Sequence, residues 1–423
     1  MSLSRYKQED LTNHLNLFNK WVFLKPKTLQ EFMLTPAPNV LDFSQHKKRI
    51  AIWTGPAWEP WNRTKVDEGM AGSETWAAYL ARAFVKRGYD VTVYNDLLAP
   101  TKSDVVVDPV VEAGTHYGDV RYIDYTKLFD DIRFQYIDYF ISSRNTDPLK
   151  NSLHAGKHYV MIHDVWLSPD PNYDVVAWKT QGYAYLSEWH KQFLQGHHKQ
   201  LPPEKMFMTA NGIVPEWYEG VTDEDKINMS VYSSSPDRGL YQLLQMMPEI
   251  RKAVPDFTLK VAYGFYNWEE AVKKRNDQRG MAFIAKIKQV MDQPGVAYLG
   301  RVDKKTLAEC QKKAKVWLYP TWFDETFCCG AAEAGFSHNA ILSTDRGGLK
   351  TTVGSAGILL PTDGLSMDGE YPKSYVERFT AEAIKLLTDE GYRRSWADKA
   401  REKMSVYTWD RIADDWLNRF KTT

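Results

Sequence analysis

Short apolar runs of four to seven residues alternate with longer amphipathic segments along the chain from about residue 49 onward. Runs of this length that are rich in Val, Ile, Tyr and Trp predict buried strands of a parallel sheet. The segments between them carry apolar residues at helical spacing; in 75–86, for example, Trp76, Leu80 and Phe84 lie four residues apart. The alternation predicts an α/β fold in which crossover helices join the strands.

The predicted strands form two series that a polar stretch separates. The first series comprises 49–53, 90–94, 136–142, 158–163, 183–186 and 206–210, and the second comprises 228–233, 258–264, 296–299, 316–319, 340–344 and 358–361. A sharp-turn sequence, Asn211-Gly212, and the polar run EWYEGVTDEDK stand between them. The domains that we expect are an N-terminal extension at 1–47, a Rossmann-like domain at 48–213, a linker at 214–226, a second Rossmann-like domain at 227–405 and a C-terminal helix at 406–423.

The composition is that of a globular chain. Its 423 residues are 43% hydrophobic and 26% charged, which is enough for two or three domains with cores of their own. The 54 Lys and Arg residues balance 54 Asp and Glu residues, so bulk charge does not favour nucleic acid as a partner. The three cysteines, Cys310, Cys328 and Cys329, fit neither a disulfide framework nor a metal-ligand spacing, and they predict a reducing, cytoplasmic location.

No part of the sequence predicts insertion into a membrane. The first residues are too polar for a signal peptide, and no apolar run approaches the ~20 residues of a transmembrane helix. If the protein acts on a membrane-bound molecule, we expect its attachment to be peripheral.

The segment 316–336, VWLYPTWFDETFCCGAAEAGF, holds the most informative pattern. Its apolar start predicts a strand that ends at Pro320, and its alanine-rich part predicts a helix that begins near Thr326. Glu325 would then lie at the mouth of this helix, and Glu333 would lie two turns farther along.

The N-terminus of this predicted helix suits a phosphorylated ligand. The first backbone amides of a helix are unpaired donors with a partial positive charge, so those of Thr326, Phe327 and Cys328 would suit a phosphate. The carboxylates on either side would suit sugar hydroxyls. An ordinary solvated helix N-terminus explains the spacing of the two glutamates equally well.

Two turns supply further candidates. Gly72 and Ser73 end a glycine-rich loop before the helix at 75–86, although this loop lacks the spacing of a dinucleotide fingerprint and a tight turn would also explain it. Arg238 stands near the start of the predicted helix 240–254, where the helix dipole disfavours a cation, so we expect it to have an anionic partner. A guanidinium also matches the shape of a phosphate.

A histidine forms a third candidate. His163 and the adjoining Asp164 stand at the carboxyl end of the predicted strand 158–163, the edge where open parallel sheets bind their ligands. A buried structural histidine is the alternative.

The segment 316–336 resembles the signature of the family-4 retaining glycosyltransferases, which have the GT-B fold. Glu325, Phe327 and Glu333 match that signature. Cys328 stands where the family often has glycine. The resemblance extends over roughly 49–420 and includes the Asn-Gly turn and the Ser-Pro-Asp-Arg-Gly turn.

The resemblance implies two doubly wound Rossmann-like domains that face each other across a cleft. The second domain would bind a nucleoside-diphosphate sugar as the substrate, and the first would supply the acceptor side. The sugar would move to the acceptor with retention of its anomeric configuration, and neither a metal ion nor another cofactor would be required. The final helix would pack back across the first domain.

The resemblance also implies roles for single residues. His163, Arg238 and Glu325 would be catalytic, with Arg238 on the diphosphate; the family often has an arginine five residues earlier, where this chain has Ser233. Glu333 would bind the ribose hydroxyls. The other donor-binding residues would be Thr326, Phe327 and Cys328 at the diphosphate, Arg301 and Val302 at the nucleobase, and Gly72 and Ser73 at the phosphates or the acceptor.

The sequence alone leaves other functions open. A GT-B nucleotide-sugar epimerase, a hydrolase of the donor and a non-catalytic nucleotide-sugar-binding module would share most of these residues. A Rossmann dehydrogenase is disfavoured because its glycine fingerprint is missing. The acceptor is equally open among a glycan, a lipid, a protein and a modified nucleic-acid base.

Overall fold

The structure is a computed structural model that describes residues 47–133, 135–144, 146–165, 176–199, 201–362 and 364–423. Residues 48–423 form one compact unit. Apart from Lys47, the predicted N-terminal extension at 1–47 lies outside the described residues.

The first part of this unit is built on a sheet in which eight described strands have the order β3-β4-β2-β1-β5-β6-β7-β8. These strands are β1 (Arg49–Gly55), β2 (Asp90–Asn95), β3 (Val105–Glu112), β4 (Thr115–Asp124), β5 (Ile137–Ser143), β6 (Ala155–Met161), β7 (Thr180–Tyr185) and β8 (Met206–Met208). From β1 the chain moves outward through β2 and β4, and from β5 it moves outward in the other direction. The topological switch point therefore lies between β1 and β5.

The strands β3 and β4 form the one antiparallel pair of this sheet among the described strands. The strand β3 lies at the outer edge, where Val105, Val107 and Val111 are about half exposed (51–52%). Pro109 stands in the middle of this strand. This hairpin was not predicted from the sequence.

The second part of the unit contains two three-stranded ladders, β11-β10-β9 and β12-β13-β14, and every pair in them is parallel. The strands are β9 (Met229–Tyr232), β10 (Thr258–Val261), β11 (Val296–Tyr298), β12 (Val316–Tyr319), β13 (Ala340–Thr344) and β14 (Ile358–Leu360). The amide of Leu318 in β12 donates to the hydroxyl of Ser230 in β9 at 3.0 Å, which places the two ladders side by side. The resulting order is that of a Rossmann fold, with its switch point between β9 and β12.

Helices cover these sheets through apolar stripes. In α5, for example, Leu243, Leu244, Met247 and Ile250 are all buried, as the helical spacing predicts. The helices are α1 (Arg63–Asp67), α2 (Gly72–Lys86), α3 (Leu128–Asp131), α4 (Glu188–His197), α5 (Leu240–Ala253), α6 (Tyr266–Lys274), α7 (Gln278–Met291), α8 (Lys304–Lys313), α9 (Cys329–Phe336), α10 (Leu349–Thr352), α11 (Lys373–Thr388), α12 (Glu390–Met404) and α13 (Trp409–Thr422). The predicted α/β fold with two Rossmann-like sheets is confirmed.

The last helix, α13, packs against the first sheet rather than the second. The indole of Trp416 donates to the hydroxyl of Thr209 at 3.0 Å. The ring of Phe420 stacks on Tyr139 of β5, with 4.2 Å between the ring centroids. Because α13 follows the second sheet in the chain, these contacts help to hold the two parts of the unit together.

A buried lysine joins the ends of two helices at the amino edge of the second sheet. Lys226 is 6% exposed. Its Nζ lies 2.8–3.1 Å from the carbonyl oxygens of Lys312, Ala314 and Ser337 and from the side-chain oxygen of Asn339, and its three N–H groups share these four acceptors. The three carbonyls belong to the C-terminal ends of α8 and α9, where the helix dipole favours a cation.

Candidate functional site

Arg238 and Glu325 lie at the switch point of the second sheet, in the loops that follow β9 and β12. Nη1 of Arg238 is 3.2 Å from Oε1 of Glu325. The next residue, Gly239, has φ +109°, and a Cβ atom there would lie 2.5 Å from the carbonyl oxygen of Pro320. A glycine is therefore what lets the two loops approach closely enough to form this ion pair.

The surroundings of this pair hold both side chains in place and keep Arg238 charged. Glu325 is only 7% exposed, and the hydroxyl of Tyr319 donates to it at 2.8 Å. The guanidinium of Arg238 also lies over the ring of Phe323, 3.8 Å from its centroid. Burial has the largest single effect on Arg238 and opposes its charge, but Glu325, Tyr319 and Asp237 act together against burial, so the pKa of Arg238 is raised. The expectation that Arg238 has an anionic partner is confirmed.

Part of the guanidinium remains available to a ligand. The Arg238 side chain is 31% exposed, whereas the Glu325 side chain is 10% exposed. An incoming anion would thus meet the arginine, with the glutamate behind it.

The helix after β12 begins at Cys329, three residues later than predicted. Cys328, the residue before the helix, has a left-handed backbone conformation with φ +78°. Because this conformation is not helical, the helix cannot begin before Cys329. The prediction that the amides of Thr326, Phe327 and Cys328 open this helix is wrong. Glu333 is its fifth residue, one turn in rather than two.

Two of these three loop residues make contacts of another kind. The hydroxyl of Thr326 donates to the carbonyl oxygen of His163 at 2.8 Å. The side chain of Phe327 is buried, and its carbonyl accepts from the hydroxyl of Thr352 at 2.6 Å. The first of these bonds joins the loop after β12 to the loop after β6, so the switch regions of the two sheets adjoin.

His163 lies two residues beyond β6 and is buried. Its Nε2 is 3.1 Å from the hydroxyl of Ser143, and its ring makes an edge contact with Trp76 at 5.2 Å between centroids. Burial, with the nearby charges of Arg144 and His190, lowers the pKa of His163 well below its usual value. The imidazole is therefore neutral at neutral pH.

Gly72 and Ser73 open α2 and face the second sheet. A Cβ atom on Gly72 would lie 3.7 Å from Sγ of Cys329. The N-termini of α2 and α9 therefore meet across the two parts of the unit. The hydroxyl of Ser73 donates to Glu74 at 2.8 Å.

Glu333 lies on α9 opposite Lys304, the first residue of α8. Oε1 of Glu333 is 4.0 Å from the ammonium nitrogen, and both side chains are 14% exposed. Glu333 also adjoins Tyr218, and burial together with this carboxylate raises the pKa of Tyr218.

Arg301 reaches from the second sheet to the loop after β1. Its Nη1 lies 2.6 Å from Oε1 of Glu59, and its Nε donates to the carbonyl of Gly69 at 3.1 Å. Gly69 also lies against Val302, because a Cβ atom on it would be 2.6 Å from the Val302 carbonyl oxygen. Beside these contacts is a cavity of about 80 Å³, lined by Trp58, Glu59, Gly69, Met70, Ala71, Glu74, Tyr263, Gly264, Tyr266, Asn267 and Arg301.

One site residue was missed by the sequence analysis. Arg144 directly follows β5 at the switch point of the first sheet and contacts both Ser73 and Asp164. Its place after a predicted strand was the available signal, since ligands bind at the carboxyl ends of parallel strands.

The structure predicts that acid weakens the fold through its buried histidines. Burial lowers the pKa of His158 and of His190 to about 4, below the value of ~6.5 in an unfolded chain. The unfolded state therefore binds more protons between pH 6.5 and 4, so the free energy of unfolding falls as the pH falls. We expect each histidine to account for roughly 1–2 kcal/mol at pH 5.

Thermal unfolding at pH 7 and at pH 5 measures this effect. His158→Gln should lose less stability between the two pH values than the unchanged protein. His116 is exposed, so His116→Gln should show the full loss. Equal losses in all three proteins would contradict the prediction.

In the part of the chain that the structure describes, none of the helices has both the length and the apolar character needed to span a bilayer.

The comparisons with known proteins find one family model and a set of solved structures that resemble this chain. Residues 217–403 match the model of the family described as Glycosyl transferases group 1. No curated protein sequence matches the chain. Three solved structures illustrate the likeness in fold.

Sucrose-phosphate synthase from Thermosynechococcus elongatus is 14% identical with a TM-score of 0.63, and the match covers 89% of this chain and 98% of that one. A glycosyltransferase from Rickettsia africae is 12% identical with a TM-score of 0.62 and the same coverage. HepE of Anabaena, solved with UDP and glucose, is 12% identical with a TM-score of 0.61, and the match covers 89% and 100%. The chain thus has the GT-B fold, and its residues 217–403 match the glycosyl transferases group 1 family.

Proposed function

We propose that this protein transfers a sugar from a nucleoside-diphosphate sugar to an acceptor hydroxyl, with retention of configuration and without a metal ion. The observation that carries the proposal is the Arg238–Glu325 pair at the switch point of the second sheet, with part of the guanidinium exposed. Switch points are where open α/β sheets bind their ligands. The bond from Thr326 to His163 brings the first sheet, the acceptor side, to the same place.

The chemistry of the leaving group explains why an arginine belongs there. As the bond between the anomeric carbon and the phosphate oxygen breaks, its electron pair moves onto the diphosphate. Arg238 stabilises this negative charge, and the free amides at the start of α9 add to it. The acceptor oxygen forms its bond to the anomeric carbon on the face that the diphosphate leaves, and its proton passes to a phosphate oxygen. No side chain acts as the nucleophile.

The remaining residues bind the rest of the two substrates. Glu325 accepts a hydrogen bond from a sugar hydroxyl and favours the oxocarbenium-like state, and His163 orients the sugar or the acceptor. Glu333 binds the ribose hydroxyls. HepE of Anabaena forms a complex with UDP and glucose, which supports a nucleotide sugar as the donor of this protein. We further propose a cytoplasmic location.

The outer part of the donor lies between the two sheets in this proposal. The nucleobase meets Arg301 and Val302 at the edge of the cavity beside Gly69. Gly72 and Ser73, at the N-terminus of α2, contact the donor phosphates or the acceptor.

Donor binding and product stereochemistry test the function directly. A thermal-shift screen of nucleotide sugars should reveal a donor that raises the melting temperature by mass action. NMR of the product should then show the donor's anomeric configuration. An inverted product would contradict retention, and the absence of a stabilising donor would contradict the function. Turnover of the donor that no acceptor accelerates would indicate an epimerase or hydrolase.

Glu333→Gln is expected to weaken donor binding roughly 10- to 100-fold, because a hydrogen bond to a charged group contributes roughly 1.5–3 kcal/mol. Isothermal titration with the nucleoside diphosphate of the identified donor measures the change. A 2′,3′-dideoxy analogue should bind the variant and the unchanged protein alike.

The control for this experiment is Glu309→Gln. Glu309 is an exposed residue of α8 whose partner is Lys312, so its replacement should leave donor affinity unchanged. A Glu333→Gln effect that persists with the dideoxy analogue would show that Glu333 does not bind the ribose.

A further inference from the structure

A charged cluster occupies the switch point of the first sheet, opposite the Arg238–Glu325 pair. It is formed by Ser73 and Glu74 in the first turn of α2, Arg144 after β5 and Asp164 in the loop after β6. These elements all leave the same edge of the sheet, because β1, β5 and β6 are parallel neighbours. The arginine lies between the two carboxylates.

Arg144 holds the cluster together. Its Nε and Nη2 lie 3.0 and 2.8 Å from Oδ2 of Asp164. Its Nη1 lies 3.6 Å from Oε1 of Glu74 and donates to the hydroxyl of Ser73 at 3.4 Å. The Arg144 amide donates to the carbonyl of Met161 at the end of β6, which fixes the backbone from which the side chain extends.

The two carboxylates differ in what they can reach. The side chain of Glu74 is 7% exposed, whereas that of Asp164 is 44% exposed. Glu74 therefore serves as a buried counter-charge for Arg144. Asp164 is the member of the pair that a ligand in the cleft can touch.

The backbone of Asp164 is also held in place. Nδ1 of His190 accepts from the amide of Leu186, so Nε2 carries the proton and donates to the Asp164 carbonyl at 3.3 Å. The preceding residue, His163, accepts the hydrogen bond from Thr326, which is the neighbour of Glu325. Asp164 is thus positioned from both sides, close to the point where the two sheets meet.

We propose that Asp164 accepts a hydrogen bond from a hydroxyl group of the acceptor and that Arg144 is the positioning residue that orients this carboxylate. The proposal rests on the proposed function and names a role within it that the resemblance did not assign. With two carboxylates and one guanidinium, the cluster carries a net charge of −1 (one positive and two negative groups). This charge favours a neutral, hydroxyl-rich acceptor such as a carbohydrate over a phosphorylated one.

The experiment separates acceptor binding from donor binding. The donor found in the thermal-shift screen is used with a panel of monosaccharides and methyl glycosides as acceptors, and its slow hydrolysis in water is measured without them. Asp164→Asn and Arg144→Ala should each raise the acceptor KM about tenfold. Each variant should leave kcat/KM for donor hydrolysis within about twofold of the unchanged protein.

Further variants test whether Arg144 acts through Asp164. The acceptor KM of the double variant should be no higher than that of either single variant, because the effects of residues that act as a unit are not additive. Arg144→Lys should recover part of the acceptor affinity. Arg82→Ala removes an arginine that pairs with Asp108 far from the switch point, and it should change neither KM.

Several outcomes would overturn the proposal. An equal rise in the donor KM would place Asp164 on the transferred sugar, and additive losses would show that Arg144 has a separate role. An unchanged acceptor KM in Asp164→Asn, which keeps the size of the side chain, would exclude the contact even if Arg144→Ala fails to fold. If the unchanged protein bound no nucleotide sugar, the proposed function itself would fail and this role would fail with it.

Discussion

Arg238→Ala is expected to lower kcat for sugar transfer about 10²–10³-fold, the usual effect of losing one preorganised group that stabilises charge in a transition state. The loss should appear in kcat because the diphosphate gains negative charge only as the glycosidic bond breaks. Initial rates at saturating donor, with the donor KM determined alongside, measure it.

Two further variants make this prediction specific. Arg238→Lys keeps a positive charge but loses the planar fork, so it should recover part of the activity. Arg346→Ala is the matched control, because Arg346 pairs with Asp324, the residue before Glu325, at 2.7 Å. The Arg346→Ala substitution should change kcat by less than about threefold. A loss of kcat as large as that of Arg238→Ala would show that the effect is not specific to Arg238.

The Arg238→Ala variant must also be checked for folding, since it leaves Glu325 buried without its cation. Breaking a buried ion pair from one side costs about 3–5 kcal/mol. Adding Glu325→Gln removes the buried charge, so the double variant should regain stability without regaining activity. Restored transfer in that variant would contradict a role for Arg238 in catalysis.

Lys226→Met is expected to destabilise the fold by about 3–5 kcal/mol, as much as the loss of the Arg238 side chain. Methionine has a similar length, so it fills the space but donates no hydrogen bond. The four oxygen atoms that the ammonium binds would remain buried without a donor. Thermal unfolding should show a melting temperature that is lower by roughly 5–10 °C.

Lys252→Met provides the comparison for this substitution. Lys252 is a largely exposed residue near the end of α5, 3.6 Å from Glu249. Exposed pairs contribute about 0–1 kcal/mol, so its replacement should shift the melting temperature little. Similar shifts of the melting temperature in the two variants would show that the hydrogen bonds of Lys226 do not stabilise the fold.

The sequence predicted the two Rossmann-like sheets because their strands are short, apolar and separated by helical periodicity. It did not predict the β3–β4 hairpin, although 105–112 reads VVVDPVVE, which is rich in a strand-forming residue, and a turn follows. Pro109 obscured the pattern, since proline is depleted in strands and is tolerated mainly at sheet edges. The edge position that makes this proline acceptable is a property of the sheet, which a local reading of the sequence cannot supply.

The candidate site was predicted only in part, because contacts between distant parts of the chain cannot be read from the local sequence. Arg238 and Glu325 each stood out beside a strand, but nothing local showed that they pair. The start of α9 was misplaced because Cys328 adopts a left-handed conformation, which is rare for any residue other than glycine. Arg144 was missed because its contacts with Asp164 come from neighbouring strands that are twenty residues apart in sequence.

The proline in β3 has a consequence for the behaviour of the protein at high concentration. An outer strand presents a row of free amides and carbonyls, and exposed valines would make it an attractive template for a strand from another molecule. Pro109 removes one amide from the middle of that row and stiffens the backbone around it. Pro109 therefore disfavours fibril-like self-assembly. Replacing it with valine should make the purified protein prone to precipitate without altering its folded core.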